Sequence, residues 1–110
     1  MLNLRLYILQ RLTALIMAPL VLVHLVVILY AIEGGLTVGE ILGRTRGSVL
    51  WALFYGLFVL AASVHAAIGV RVVVAEWVGL RPRILSWLTW ALALGLAIPD
   101  LRAVWAVTWA

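Results

Sequence analysis

The fold of this chain is decided by an uncharged stretch, LTALIMAPLVLVHLVVILYAI, which occupies residues 12–32. Arg11 precedes the stretch and Glu33 follows it. A helix that crosses the hydrocarbon core of a bilayer needs about 20 predominantly apolar residues. The stretch is also longer than the apolar region of a secretory signal peptide, which has roughly 7–15 residues. Residues 12–32 therefore predict a transmembrane helix that is retained in the mature protein.

Two more apolar runs predict two further spans. Residues 47–70 lie between Arg46 and Arg71 and are long enough to cross a membrane. The run at 84–99 is shorter, and it reaches full length only if its helix continues past Asp100. We therefore predict an all-α fold, an integral membrane bundle of three transmembrane helices. The bundle forms a single domain over residues 1–110, with helices at about 12–32, 47–72 and 84–104.

The composition excludes a soluble enzyme. Of the 110 residues, 67% are hydrophobic and 11% are charged, with a mean hydropathy of +1.23, whereas a soluble domain is about 45–50% apolar and about 25% charged. The chain has no cysteine, which excludes disulfides, thiolate zinc sites, iron–sulfur ligation by this chain and a thioether-attached haem. Metal ligation would have to use histidine. The net charge of +4 comes from arginines that bracket the apolar runs, so we expect no nucleic-acid binding.

The distribution of arginine predicts the orientation in the membrane. With three spans, Arg5, Arg11, Arg71, Arg81 and Arg83 fall on the side of the N-terminus, and Arg44, Arg46 and Arg102 fall on the other side. Cytoplasmic segments carry the excess of Lys and Arg, so we expect the N-terminus in the cytoplasm. The glycine-rich segment 33–46 between the first two spans is expected to form a turn with about one helical turn.

Two histidines, His24 and His65, are the ionisable residues that lie well inside the predicted spans. Such residues are expensive in hydrocarbon and usually have a function, and neutral imidazole is a common ligand of haem iron. One helical turn from His65 lie Ala61, Ala62 and Gly69, so the edge of a flat porphyrin could rest on that face. We therefore predict that His65 ligates haem. The alternative is that the small residues mark close helix packing and His65 hydrogen-bonds a neighbouring helix.

His24 has bulkier neighbours, among them Leu20 one turn away. From these surroundings alone, a packed, hydrogen-bonded histidine and a second haem ligand are equally open interpretations. At 1.5 Å per residue, His24 lies roughly 20 Å beyond Arg11, and His65 lies about 9 Å before Arg71. Because both arginines mark the cytoplasmic edge, the two histidines differ in depth by roughly 10 Å. One haem cannot easily take both as ligands, so the ligand opposite His65 should come from another subunit.

Polar and aromatic residues collect at the cytoplasmic ends of the first two predicted helices. Tyr7, Arg11 and Thr13 open the first helix, and Arg71 and Trp77 close the second. Their hydroxyl, indole and guanidinium groups are donors of the kind that orient a quinone carbonyl in an apolar pocket, and the two arginines could neutralise haem propionates. Each residue type is also a common interfacial anchor. Their convergence at the expected haem predicts a quinone or propionate site.

The same helix ends carry two short motifs, QRLTA at residues 10–14 and HAAIGVR at residues 65–71, the second followed by Glu76 and Trp77. These motifs resemble the membrane-anchor (cytochrome b) subunits of the succinate dehydrogenase and fumarate reductase family, respiratory complex II. Anchors of this family have roughly this length, three transmembrane helices and a cytoplasmic N-terminus. They begin the first helix with Arg-x-Ser/Thr-Gly/Ala and carry His-x-x-x-Gly on the second. The resemblance covers the first two helices. The third helix supports it only by its position in the chain.

The resemblance implies that His65 is an axial ligand of haem b, with the opposite histidine supplied by a second membrane-anchor subunit. Ubiquinone or menaquinone would be the substrate. The further partners would be an iron–sulfur subunit and a flavoprotein subunit. The complex would be located at a bacterial cytoplasmic (inner) membrane. This chain would hold them there and help pass electrons to quinone, without a dicarboxylate or flavin site of its own. The residues at positions that serve the quinone site or the propionates in the family would be Arg11, Thr13 and Arg71.

Three departures from the family pattern bear on these roles. The histidine that often precedes the arginine of the first motif is Gln10 here. The usual Asp-Tyr pair after the second helix is a Glu-Trp pair ending at Trp77, which removes the family's quinone-bonding tyrosine, so Trp77 or Tyr7 would replace it. Residues 19–27 around His24 resemble the first helix of di-haem anchors, in which a histidine there binds the outer haem. The chain also mixes traits of the two kinds of anchor subunit.

Three other interpretations remain at this point. A haem-free anchor of the same family would bind quinone, and His65 would only form a hydrogen bond. A small transporter or channel subunit usually carries an acidic residue inside a span, whereas Glu33, Glu40, Glu76 and Asp100 all lie at span ends here. A small membrane subunit of an unrelated complex would show the same apolar pattern.

Overall fold

The computed structural model describes residues 3–109 and contains four helices there. Three of them are long and apolar enough to cross a membrane, and a short helix lies between the first two. The described residues form no strand. These findings confirm the predicted all-α membrane bundle. The helices are α1 (Leu4–Gly34), α2 (Val38–Thr45), α3 (Val49–Trp77) and α4 (Pro82–Thr108).

The spans are longer than predicted, because α1 begins before Arg11, and α3 and α4 continue beyond the predicted ends. Asn3 caps α1, since its side-chain oxygen accepts the backbone N–H of Leu6 at 2.9 Å and so satisfies one of the free amides of the first turn. Ser48 caps α3 through the N–H of Trp51 at 3.2 Å. Arg11 therefore lies inside α1, where its exposed side chain can extend to the membrane surface.

The last helix, α4, continues through Pro99 and past Asp100, as a full-length span requires. It begins with Pro82. Proline has no backbone N–H, and at the start of a helix that group would have no partner within the helix. Pro99 removes one hydrogen bond from the helix interior, which membrane bundles tolerate when neighbouring groups compensate. The predicted end at 104 is too early, because the helix ends at Thr108.

The short helix α2 has eight residues, where the sequence predicted about one turn. It begins with a capping box: the Thr37 hydroxyl accepts the Glu40 N–H at 3.2 Å, and the Glu40 carboxylate accepts the Thr37 N–H at 3.1 Å. Its last residue, Thr45, donates its hydroxyl proton to the carbonyl of Val107 at 2.6 Å. α2 is thereby fixed to the C-terminal end of α4. The Thr-x-x-Glu spacing is the sequence signal for this helix.

The central helix is α3, because α1 and α4 each pack against it and hardly touch one another within residues 3–109. Four of its buried residues are Ala61, Ser63, Ala67 and Ile68. Small residues of this kind let neighbouring helices approach closely. Many of the large apolar side chains of the spans are exposed, which is expected of surfaces that lipid solvates. On one side of α3, a groove remains between α1 and α4.

One end of the bundle collects the start of α1, the end of α3 and the start of α4. We call it the arginine-rich end, because Arg5, Arg11, Arg71, Arg81 and Arg83 belong to it. The opposite end carries α2. This arrangement places the residues of the predicted site in the half of the bundle that is nearer the arginine-rich end.

Candidate functional site

The candidate site is built around Thr13 on α1 and His65 on α3. The hydroxyl oxygen of Thr13 lies 3.1 Å from Nδ1 of His65. Thr13 is only 5% exposed, so the contact is shielded from the surroundings. The sequence predicted both residues at the site, and the structure brings them into direct contact.

The hydrogen-bond partners of Thr13 are compatible with a tautomer of His65 in which Nδ1 carries the proton. Thr13 donates its hydroxyl proton to the backbone carbonyl of Gln10 at 3.0 Å. A hydroxyl has a single proton, so while Thr13 donates to Gln10 its oxygen can only accept from His65. Nδ1 of His65 must then carry the proton of that hydrogen bond, and in a neutral imidazole Nε2 keeps the lone pair. A nitrogen in this state is suited to ligate a metal such as haem iron.

His65 lines a groove of about 380 Å³. The other described residues that line it all belong to α1: Gln10, Arg11, Ala14 and Leu15. We call it the His65 groove. The predicted site included Arg11 but missed Ala14 and Leu15. Ala14 and Leu15 follow Gln10 and Arg11 by four residues, so they lie on the same face of the helix. This spacing could have indicated them.

Gln10 contributes an unpaired acceptor to this region. Its side-chain Oε1 is buried and has no hydrogen-bond partner among residues 3–109. Its Nε2 lies next to Gly69, because a Cβ added to that glycine would be 3.8 Å away from it. A buried acceptor without a donor is unfavourable. A bound molecule with an O–H or N–H group would therefore be stabilised at Gln10.

The small residues around His65 do not all face free space. Ala61 is 5% exposed and lies inside the bundle, whereas Ala62 and Gly69 are half-buried. Ala61 thus serves close helix packing, which was the alternative explanation for the small residues near His65. The space that a flat ring could use lies along Ala62 and Gly69.

Arg11 and Tyr7 form a pair on the exposed face of α1. The guanidinium carbon of Arg11 lies 5.8 Å from the centre of the Tyr7 ring, within the range of a cation–π interaction. Arg11 itself also lines the His65 groove. Trp77, the last residue of α3, is 82% exposed, so its indole is available to lipid, quinone or another subunit.

Arg71 lies in a different cavity from His65. Its guanidinium NH1 donates to the hydroxyls of Ser86 at 3.4 Å and Thr89 at 3.2 Å, both on α4. The described lining of its cavity has no residue in common with the His65 groove. The two residues are six positions apart on α3, which places them about 120° apart around the helix. The structure therefore does not bring Arg71 together with His65.

His24 packs against aromatic rings of α3. Its ring centre lies 6.2 Å from that of Tyr55 and 5.2 Å from that of Phe58, and both rings are nearly perpendicular to it. Its Nδ1 is buried without a hydrogen-bond partner in the described part of the chain. Edge-to-face contacts of this kind favour the packed interpretation of His24. Its role as a second haem ligand stays a prediction.

The donors near His65 suit haem better than a bare metal ion. Among residues 3–109, no three His, Cys, Asp or Glu side chains come together in a group that could hold an ion. A haem needs only one axial histidine from each chain, because the porphyrin itself supplies the in-plane nitrogens. One histidine with a free lone pair beside an arginine is consistent with this requirement.

Comparison with known families agrees with this geometry. A family model described as the succinate dehydrogenase/fumarate reductase transmembrane subunit matches residues 2–98. The chain belongs to this family. No curated protein and no solved structure matches it. The matched range includes both motifs on which the resemblance rested, so the family predicted from the sequence is confirmed. This transmembrane subunit is accordingly a multi-pass membrane protein.

Proposed function

We propose that this chain is a membrane-anchor subunit of a succinate dehydrogenase/fumarate reductase complex, that Nε2 of His65 binds haem b, and that the adjoining groove contributes to a quinone site. We base this on the hydrogen bond between Thr13 and His65, which in the Nδ1–H tautomer leaves Nε2 with its lone pair. The same bond limits rotation of the imidazole, as outer-sphere partners of metal-bound histidines do.

The haem would be shared between two chains. His65 would hold it from this chain, and a histidine of a second membrane-anchor subunit would be its other protein ligand. When bound, the haem supplies one-electron redox chemistry. Arg11 lines the same groove as His65, and its guanidinium would neutralise a propionate through paired hydrogen bonds.

Ubiquinone or menaquinone would bind at the open part of the His65 groove. Arg11 would donate to a quinone carbonyl, and the unpaired Oε1 of Gln10 would accept the O–H of the reduced form. Tyr7, which stacks beside Arg11, and the exposed Trp77 would complete the wall. The hydroxyl of Thr13 is engaged by Gln10 and His65, so its role is to orient the imidazole.

The remaining subunits would dock at the arginine-rich end. Five arginines lie there against three at the other end, which by the positive-inside rule supports a cytoplasmic location of that end and of the N-terminus. The iron–sulfur and flavoprotein subunits would therefore bind from the cytoplasmic side of a bacterial inner membrane. The dicarboxylate and flavin sites belong to those subunits.

A haem-free anchor that binds quinone is the second candidate. The 3.1 Å contact between Thr13 and His65 is compatible with it, because a histidine that only links two helices would make the same bond. The two candidates differ at Nε2, which binds iron in the first and no cofactor in the second.

Absorption spectra of the complex, purified in mild detergent, test the proposal. We expect Soret and alpha bands of a b-type haem in the wild type and their loss or weakening in His65→Ala. An unchanged spectrum in that variant would disprove the ligand assignment, and an active wild type without these bands would establish the haem-free anchor.

The ratio of haem to protein also tests His24, because His24→Ala lowers it by one haem only if His24 is a second ligand.

A further inference from the structure

Arg71 is a buried cation that contacts no anion among residues 3–109. Its side chain is 9% exposed, and its hydrogen bonds go to the hydroxyls of Ser86 and Thr89, which are neutral. Its Nε is buried and has no partner among the described residues. A guanidinium inside a membrane protein is costly unless a counter-charge or further acceptors accompany it. Arg71 therefore has an unfilled requirement for an anionic acceptor.

The cavity next to this guanidinium has a volume of about 430 Å³ and lies between α1, α3 and α4. We call it the Arg71 cavity. Its described lining includes two arginines and no acidic residue. The polar residues are Asn3, Arg5, Arg71, Ser86 and Thr89. The rest of the wall is apolar and includes Leu9 of α1 and Trp90 of α4. The cavity is thus cationic in one part and apolar in the other.

The polar part of the Arg71 cavity lies near the membrane surface. Arg71 is six residues before Trp77, the end of α3, which is about 9 Å along the helix. Thr89 is seven residues after Pro82, the start of α4, which is about 10 Å. The headgroup region on each side of a bilayer is roughly 5–8 Å thick. The guanidinium therefore lies close to the boundary between headgroups and hydrocarbon.

We propose that the Arg71 cavity binds the phosphate of an anionic glycerophospholipid. The phosphodiester oxygens accept from Nε of Arg71 and from Arg5, because guanidinium groups bind phosphate through several charge-assisted hydrogen bonds. An acyl chain lies along the apolar wall near Leu9 and Trp90. Two arginines disfavour a headgroup that carries an ammonium, so the lipid has a net negative charge. This site is independent of haem and quinone binding.

A lipid in this position would also connect two helices of the bundle. Within the described residues, α1 and α4 hardly contact each other, and both line the Arg71 cavity. The phosphate joins Arg5 on α1 to the Arg71 cluster on α3 and α4, and the acyl chain fills the groove between them. The bound lipid is therefore a structural component of the arginine-rich end.

Native mass spectrometry of the purified, delipidated complex tests the proposal, with dioleoylphosphatidylglycerol as the titrated lipid. We expect Arg71→Gln to bind it about tenfold more weakly, since a hydrogen bond to a charged group contributes about 1.5–3 kcal/mol. The matched control is Arg81→Gln, which removes the same charge at the same end from an exposed side chain outside the described lining. The control should bind like the wild type.

Two further variants keep the test decisive if Arg71→Gln does not fold. Arg5→Gln removes the second cation from an exposed position, and Ala93→Leu narrows the apolar wall without changing charge. We expect both to weaken binding of the lipid.

The proposal also predicts which competitors fail. Dioleoylglycerol, which lacks the phosphate, and dioleoylphosphatidylcholine should bind more weakly than phosphatidylglycerol. Equal binding of either lipid, or equal binding by Arg71→Gln and Arg81→Gln, would overturn the proposal. Binding of inorganic phosphate without any binding of phosphatidylglycerol would identify free phosphate as the ligand and reject the lipid. Unchanged lipid binding with loss of a copurifying subunit in Arg71→Gln would assign Arg71 to a carboxylate of that subunit.

Discussion

The hydroxyl oxygen of Thr13 on α1 lies 3.1 Å from Nδ1 of His65 on α3 and 3.0 Å from the carbonyl oxygen of Gln10. When the hydroxyl donates to this carbonyl, Nδ1 of His65 donates to the hydroxyl and Nε2 keeps its lone pair. The packing of α1 against α3 and the ligand chemistry of His65 depend on the same hydroxyl. Changes at Thr13 should accordingly alter both.

Replacing Thr13 by Val keeps the shape of the side chain but removes the acceptor for Nδ1–H. In metal-bound histidines, removing the group that hydrogen-bonds the other ring nitrogen typically lowers metal affinity by about 10–100-fold. We expect faster haem loss and a shifted midpoint potential in Thr13→Val, measured by redox titration of the alpha band. Thr13→Ser restores the hydroxyl and should restore both properties. If the Ser and Val variants behave alike, the hydroxyl does not orient His65.

Replacing Arg11 by Gln removes a cation from the His65 groove. Arg11 is exposed, so we expect the complex to assemble normally. Quinone reduction should fall by about 10–100-fold in kcat/KM, the effect of losing one charge-assisted hydrogen bond. Arg83→Gln is the control, because it removes the same charge at the same end and lies outside the described lining of the groove. Normal quinone kinetics in Arg11→Gln would exclude Arg11 from the quinone site.

Replacing Gly35 by Ala should disrupt the connection between α1 and α2. Gly35 has φ +111°, and a Cβ there would collide with the Glu40 carboxylate of the capping box. We expect a loss of about 1–3 kcal/mol, measured as a lower midpoint of thermal unfolding in detergent. Gly39→Ala is the control, because a Cβ there meets no atom within 4 Å and alanine favours a helix. Equal stability of the two variants would contradict this loop geometry.

Replacing Thr45 by Val should free α2 from the end of α4. Thr45 is 6% exposed, and its hydroxyl donates to the carbonyl of Val107 at 2.6 Å. Loss of this donor removes a hydrogen bond between α2 and the half-buried Val107, which is worth about 0.5–1.5 kcal/mol. We expect faster hydrogen exchange across α2 in Thr45→Val, and exchange close to that of the wild type in Thr45→Ser. Identical exchange in all three proteins would show that this bond does not hold α2.

The three spans could be predicted from the sequence because a lipid bilayer permits few backbone conformations. A long apolar segment without charges must satisfy its backbone internally, and a helix does so within the segment. The exact ends could not be read from charge, because the arginines at the helix ends extend their long side chains to the surface. The ends follow from side-chain caps such as Asn3 and Ser48. The eight-residue helix α2 could have been predicted from the capping box that begins at Thr37.

The candidate site was predictable only in part. Thr13 and His65 were expected at one site, and they are in contact. Arg71 was expected to join them, but its position on α3 turns it toward Ser86 on α4. Which face of a helix meets which neighbour depends on packing, and the sequence of one helix does not state it.

The sequence by itself determined the class, the three spans and the family, because hydrophobicity and short motifs are properties of single segments. The tertiary structure decided which polar groups meet: Thr13 with His65, and Arg71 with Thr89. It also decided that Arg11 and Arg71 line separate cavities. The physical reason is that a hydrogen bond depends on distances of about 3 Å between atoms of different helices, and only the packed bundle fixes such distances.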